Sequence, residues 1–285
     1  MLSWIYDLLG TLLSWFSSLF GGKYVFALLL YALLFKLVFL PFAIKQQKSQ
    51  IAMAKFAPEM ERIQAKYRGK TDEASMQKQQ QELIELQQRE GFSPLSGCLP
   101  VLLQLPIITF LYNVIRGPLS YICKLSANEI TQVKAIITAA GITPAADEIG
   151  LVANIQALGV EVFEGIDLSR LPDFTLWGTN LARTPSFSEL SMLWLIPILA
   201  AALTWLSSVL IRKWNNPGAA TEQNQQMNST MNSMNIMMPL MTLWMTFSFS
   251  GMLGVYWIYQ SILGILQSFI LSKAMPIPQR TAEGA

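Results

Sequence analysis

Apolar residues fall in blocks along this chain, and polar stretches between the blocks recur at spacings that predict helices. From Lys23 to Ile44 the sequence reads KYVFALLLYALLFKLVFLPFAI. It is long and apolar enough to cross a bilayer as one helix, which takes about 20 residues. Ahead of it, Ser3, Asp7, Gly10, Ser14, Ser17 and Gly21 recur at steps of four and three, a single polar stripe on a helix. Leu2, Ile5, Leu9, Leu12, Leu13 and Phe16 cover the other side. With Trp4 and Trp15, residues 1–21 read as an amphipathic helix lying in the membrane interface, a weak first span being the alternative. This start has no basic run and no cysteine, so neither a clean secretory signal nor a lipoprotein signal is expected.

After residues 22–44 the pattern changes to Gln, Lys and Glu. Within 45–93, Met53, Phe56, Met60, Ile63 and Tyr67 repeat at three and four, Arg68 to Asp72 reads as a turn capped by Thr71 or Asp72, and Met76, Leu83 and Leu86 mark a second helix. The prediction is a helical hairpin. Its apolar residues Met53, Phe56, Met60 and Ile63 serve either a spacer or a docking surface for clients and partners. Residues 94–116 form the next span; Pro100 and Pro106 suit a membrane helix better than a soluble one. Residues 117–190 are a long connection in which Ala127 to Ala140 suits an amphipathic helix. Spans follow at 191–211, 235–250 and 251–272, with a polar linker at 212–234, a tight turn at Ser248–Gly251 and a tail at 273–285. The expected fold class is an all-α integral membrane protein with five transmembrane helices.

Composition agrees: 52% of the 285 residues are hydrophobic and 13% charged, where soluble domains run at about 25% charged. Lys and Arg crowd 45–93 and recur at Arg212, Lys213, Lys273 and Arg280. The positive-inside rule then sets those segments in the cytoplasm, the N-terminus outside and the C-terminus inside. A net charge of +2 is too small to imply a nucleic-acid partner. There is no histidine, and Cys98 and Cys123 are not spaced as a zinc site, so neither metal nor cofactor is expected. The two cysteines should lie near opposite membrane faces and form no disulfide. Gly69-Lys70-Thr71 is not a phosphate loop, because the position five before the glycine is Gln64.

The chemistry concentrates on Lys36, a cation inside an apolar run. A charge there costs about 2.5–3.5 kcal/mol on insertion scales. A serine–lysine dyad would need a serine within hydrogen-bond reach, and Ser96 belongs at the mouth of its span. No carboxylate lies in any span, so neither a proton relay nor a paired-aspartate protease is built, and no enzyme is expected. A lysine buried in hydrocarbon without a counter-ion loses its proton; to stay charged, Lys36 must face water. Tyr256, Gln260, Gly264 and Gln267 make a polar stripe in the last span, which belongs on a bundle interior or a wet cavity. Gln104 is the polar residue near the middle of its span, either interhelical glue or part of the wet surface. The methionines of MNIMMPLMTLWM suit a lipid-facing or core helix, or an adaptable apolar surface. The consistent reading is a hydrophilic pocket with Lys36 as its fixed charge, receiving the polar part of a protein on its way into the membrane.

Lys36 with Pro41, then MAKFAPEMERIQAKY, GFSPLSGCLPVLLQLPIITFLY and GMLGVYWIYQSILGILQ, resembles the YidC-type membrane protein insertases over roughly half the chain. The resemblance implies a five-span core with a positively charged groove, open to cytoplasm and lipid and closed outside, and a mobile cytoplasmic hairpin that captures clients. It implies a bacterial plasma-membrane protein acting on nascent membrane proteins, alone or beside the Sec translocon, and receiving them from ribosomes and targeting factors. The groove's basic residue falls on Lys36, where the family more often has arginine; Lys keeps the charge and loses the bidentate fork. Gln104, Tyr256 and Trp257 match recurring positions, with Gln104, Tyr256 and Gln260 the groove-lining candidates. The lipoprotein cysteine of many relatives is missing, the outer loop is long and the basic tail is short. An assembly chaperone without autonomous insertion is the first alternative, and a small-solute transporter the second. No inverted repeat or second ionisable group supports transport.

Overall fold

The computed structural model describes residues 3–70, 72–89, 99–186, 191–215 and 225–277, and the architecture is almost wholly helical. Helix α1 (Ser3–Ser18) is followed by α2 (Tyr24–Val38), α3 (Leu40–Lys66), α4 (Glu73–Arg89) and α5 (Leu99–Arg116). The connection after α5 carries α6 (Pro118–Tyr121), α7 (Ala127–Ala139), α8 (Glu148–Leu158) and a two-stranded ribbon, β1 (Thr175–Leu176) and β2 (Thr179–Asn180). The chain ends in α9 (Leu195–Asn215), α10 (Gln225–Ser248) and α11 (Gly251–Ala274).

Among the described residues, Met192–Trp214 and Gly251–Ala274 are single helices long and apolar enough to cross a membrane. The block expected as one span at 22–44 is instead bent by 56° between α2 and the start of α3. Phe39 is the break, and Pro41 sits in the first turn of α3. Proline has no N–H to give to the carbonyl four residues back, and its ring crowds that carbonyl, so a helix restarts there more easily than it continues. Counted as one bent span, this pair is the third candidate. Leu105–Arg116 and Ile236–Ser248 are shorter apolar helices. Helix α10 begins inside the segment read as a polar linker: its 24 residues reach about 36 Å at 1.5 Å each, more than the hydrocarbon core of about 30 Å.

α1 does not simply divide into a wet and a greasy side. Gly10 and Ser17 of its small-residue stripe are buried with Leu9, Leu13 and Phe16, while Trp4, Leu8, Trp15 and Leu19 face outward. A Cβ at Gly10 would stand 2.1 Å from the Tyr121 carbonyl oxygen, so the helix lies against α6 only because that position has no side chain. Small residues permit this close approach of backbones.

The connection 117–186 carries a core of its own: Leu119, Val133, Ile137, Leu151, Ile155 and Phe163 pack together. α7 starts in a capping box, with the Glu129 amide donating to Ser126 Oγ and the Ser126 amide to the Glu129 carboxylate. Cys123 is buried beside this core, and burial, with the nearby Asp167 and Glu148 carboxylates, pushes its thiol up to about 12. Only the thiolate attacks an alkylating reagent. With Cys98, which lies outside the described residues, changed to serine, Cys123 should resist maleimide at neutral pH and react once the protein is unfolded; rapid labelling of folded protein would contradict this core.

α11 lies tightest against α9. A Cβ at Gly254 would meet Ile196 Cγ2 at 2.5 Å, and one at Gly251 would meet Leu193 Cδ2 at 2.9 Å. Gly254→Val should lower stability by about 1–3 kcal/mol, the usual cost of overpacking. Ile196→Ala should recover part of that loss, read by thermal unfolding in detergent.

Candidate functional site

The packing of the bundle is uneven along its length. In α2 one face of the first half, Tyr24, Val25, Ala27, Leu28, Tyr31 and Ala32, is buried, whereas Phe26, Leu29, Leu33, Leu37 and Val38 are exposed. In α11, Gly251 to Tyr256 and Ile258 are buried, and the helix then becomes half-buried or exposed until Leu271. Among the described side chains of α5, those of residues 105–116, Ile107, Leu111, Val114 and Ile115 are buried. One core thus joins the starts of α2 and α11 to the end of α5 and to α1. Away from that end the described side chains of α2 and α11 are more exposed.

Lys36 sits where the packing thins, in the last turn of α2, two residues before the helix ends. It is half-buried, and its Nζ is 3.6 Å from where a Cβ of Gly264 would stand. Among the described residues it has no ion-pair partner; the salt bridges are Lys23–Asp173, Lys66–Glu82 and Arg89–Glu59. The stripe on α11 therefore does face α2. Tyr256 is buried with its ring 6.2 Å from that of Tyr31, Gln260 Nε2 donates to Tyr256 Oη at 2.9 Å, and Gln260, Gly264 and Gln267 are half-buried. Tyr31 Oη, fully buried one turn and a half before Lys36, has no hydrogen-bond partner among the described residues.

The candidates do not all come together. Lys36, Gly264, Gln260 and Tyr256 are neighbours across α2 and α11. Gln104 lies on α5 with its side chain outside the described residues, as do the side chain of Met53 and all of Ser96. Met60 is buried, and Phe56 and Ile63 are half-buried. α3 and α4 run antiparallel, tied by Lys66–Glu82, by Arg89–Glu59 at 2.7 Å, and by Tyr67 Oη donating to Glu82 Oε1 at 2.8 Å. Leu86 and Tyr67 are buried with Met60. Asp72 caps α4 by accepting from the Ser75 amide at 2.9 Å. At the foot of α3, buried Gln47 donates to the Met275 carbonyl, joining it to the end of α11.

A second polar seam was not anticipated from sequence. Thr242 and Thr246 of α10 are buried, and Thr204 of α9 stands 3.5 Å from Ser261 of α11. Thr246 and Thr204 each donate to the carbonyl four residues back, so their hydroxyls are satisfied without water. Hydroxyl residues inside apolar blocks were the available signal.

A family model described as 60Kd inner membrane protein matches residues 15–279. The chain belongs to this family. It is 29% identical over 263 residues to the membrane protein insertase YidC of Clostridium perfringens, covering 92% of this chain and 84% of that protein. It is 26% identical over 276 residues to the membrane protein insertase MisCA of Bacillus subtilis, covering 95% and 80%. Over a shorter stretch of 107 residues it is 42% identical to YidC 1 of Halalkalibacterium halodurans, covering 38% and 41%. As a member of the 60Kd inner membrane protein family with spanning-length apolar helices, it is a membrane protein.

Gly264 leaves the space in which the Lys36 ammonium lies. Gly264→Leu should fill it. A cysteine at position 36, in a background without Cys98, should then label severalfold more slowly with a hydrophilic thiol reagent in membrane vesicles. An unchanged rate would mean that Gly264 does not border the open part of the site.

Proposed function

We propose that this chain is a membrane protein insertase that receives the hydrophilic segments of client proteins in a positively charged groove and releases their apolar spans into lipid. The observation that carries the reading is Lys36: a half-buried lysine with no carboxylate partner among the described residues, facing Gly264 of α11. An unpaired cation in hydrocarbon is costly, so it persists where water reaches it. A wet pocket part-way into the membrane shortens the apolar path for a polar segment, and the ammonium attracts acidic residues entering it. Gln260 lines this groove from α11, with the buried Tyr256 behind it accepting its hydrogen bond, and Gln104 lines it from α5.

In the proposed topology the chain spans a bacterial plasma membrane five times, N-terminus outside and C-terminus in the cytoplasm. α2 with the start of α3, then α5, α9, α10 and α11, are the spans, and α1 lies in the outer interface. The rest of α3 and α4 is a cytoplasmic hairpin. In this reading Met53, Phe56 and Ile63 of α3 meet clients or partners, and the buried Met60 joins them when the two helices separate. Nascent membrane proteins are the substrates, delivered by ribosomes and targeting factors, alone or with the Sec translocon; no nucleic-acid sequence is read. Membership of a family whose relatives are named membrane protein insertases supports this reading over transport.

The test is insertion of a small single-span client into liposomes holding only this protein, with wild type beside Lys36→Arg and Lys36→Ala. Insertion by wild type and Lys36→Arg, with a large loss in Lys36→Ala, is expected. Equal insertion by all three would reduce Lys36 to one contributor to groove hydration. No insertion by folded wild type would favour the assembly chaperone that depends on the translocon.

A further inference from the structure

The ribbon β1–β2 ends in an unusual turn. Leu176 pairs with Thr179, so the turn is two residues long, Trp177 and Gly178, and both have positive φ, 48° and 77°. Asn-Gly or Asp-Gly meets that requirement with least strain, and an aromatic residue in the left-handed region is an outlier. Yet Trp177 returns nothing to the fold: it is 84% exposed, and its ring meets no other ring among the described residues. A strained position held by a large apolar side chain in the open calls for something outside the chain.

The position of the ribbon identifies it. The segment leading into β1 is hydrogen-bonded to the start of α2, with the Tyr24 amide donating to the Asp173 carbonyl at 3.1 Å and the Asp173 amide to the Gly22 carbonyl at 3.2 Å. Lys23 and Asp173 add an ion pair at 2.7 Å. The segment leaving β2 is bonded to the start of α11, the Met252 amide donating to the Leu181 carbonyl at 2.7 Å and the Gly251 amide to the Arg183 carbonyl at 3.0 Å. Trp177 is four residues from either attachment, which limits its reach to about 14 Å from the level where these helices begin. The bilayer's interfacial region is roughly 5–8 Å deep on each side. The headgroup region is therefore within the reach of the tip. Trp15, Leu19 and Phe20, also exposed, precede Gly22 at the same end of the bundle. A two-residue tip is far too small for a protein interface, which takes about 800 Å² per partner. An indole, apolar in body and with one N–H donor, suits the headgroup boundary.

We propose that Trp177 anchors the outer end of the bundle in the lipid headgroup region, holding the strap 173–183 against the membrane as one member of an aromatic belt with Trp15 and Phe20. This rests on α2 and α11 crossing the membrane and not on insertase activity. The test uses Trp177→Asn, which keeps a residue suited to the turn. In detergent this variant should melt no lower than wild type. In liposomes containing lipids brominated near the headgroup, it should lose one of the 8 tryptophans' share of lipid-quenchable emission, with the iodide-quenchable part unchanged. If the lost emission is instead the iodide-quenchable part, the tip is in water and the anchor is overturned. A lower melting temperature in detergent would show that Trp177 serves the fold itself, and would overturn it equally.

Discussion

One ammonium group inside an apolar helix constrains the whole bundle. To stay charged, Lys36 cannot be surrounded by side chains as Tyr31 is, because a cation without a counter-charge in hydrocarbon loses its proton. It cannot face lipid either. The buried residues of α2 end at Ala32, and the part that carries Lys36 is more exposed. Tyr24, Ala27, Leu28 and Tyr31 of α2 are in the core, and one turn further on Lys36 is half-open with glycine across from it. Gly264 is the counterpart of the cation in this sense: the space it leaves is where Nζ lies.

The two ends of the bundle differ in how their backbone groups are satisfied. Where α2 and α11 begin, their first amides would be orphaned in a membrane, since lipid offers no acceptor. The strap 173–183 supplies carbonyls to Tyr24, Gly251 and Met252, and Phe174 packs edge-on against Tyr24. Partial burial raises the Asp173 carboxyl, and hydrogen bonds from Lys23 and Thr175 outweigh it, so it sits below the ordinary carboxylate value and stays ionised at neutral pH. At the far end, among the described residues, Gln47 donates to the Met275 carbonyl and the Trp214 ring meets that of Phe269.

Much of this was legible in the chain. The intramembrane lysine and the stripe Tyr256–Gln260–Gly264 were visible as polar residues in apolar blocks, and their meeting across α2 and α11 follows from a polar stripe having nowhere else to face. Family membership was carried by motifs that the family model now covers. Three things were less readable. The break at Phe39 was signalled by Pro41, but membrane helices often tolerate proline, so the signal was ambiguous. The inward turn of Gly10 and Ser17 was hidden because small residues score as polar on a helical wheel while acting as close-packing residues. The core of 117–186 was hidden because its elements are too short for a periodicity to emerge: Leu119, Phe163 and Leu168 are brought together by loops.

The same distinction explains the helical pair α3–α4. Its apolar stripe was readable at steps of three and four, but periodicity says only that a face is apolar, not what covers it. Here α4 covers Met60, and the covering is slight: the ties at Lys66–Glu82 and Arg89–Glu59 are between partly exposed groups. Ion pairs of that kind add little to stability because water and salt compete for both partners. Met76 and Ile84 stay half exposed. A pair held by so small a core can exchange its internal apolar contact for one with another chain at little cost. The tightly closed strap, with its backbone bonds to α2 and α11, has no such freedom.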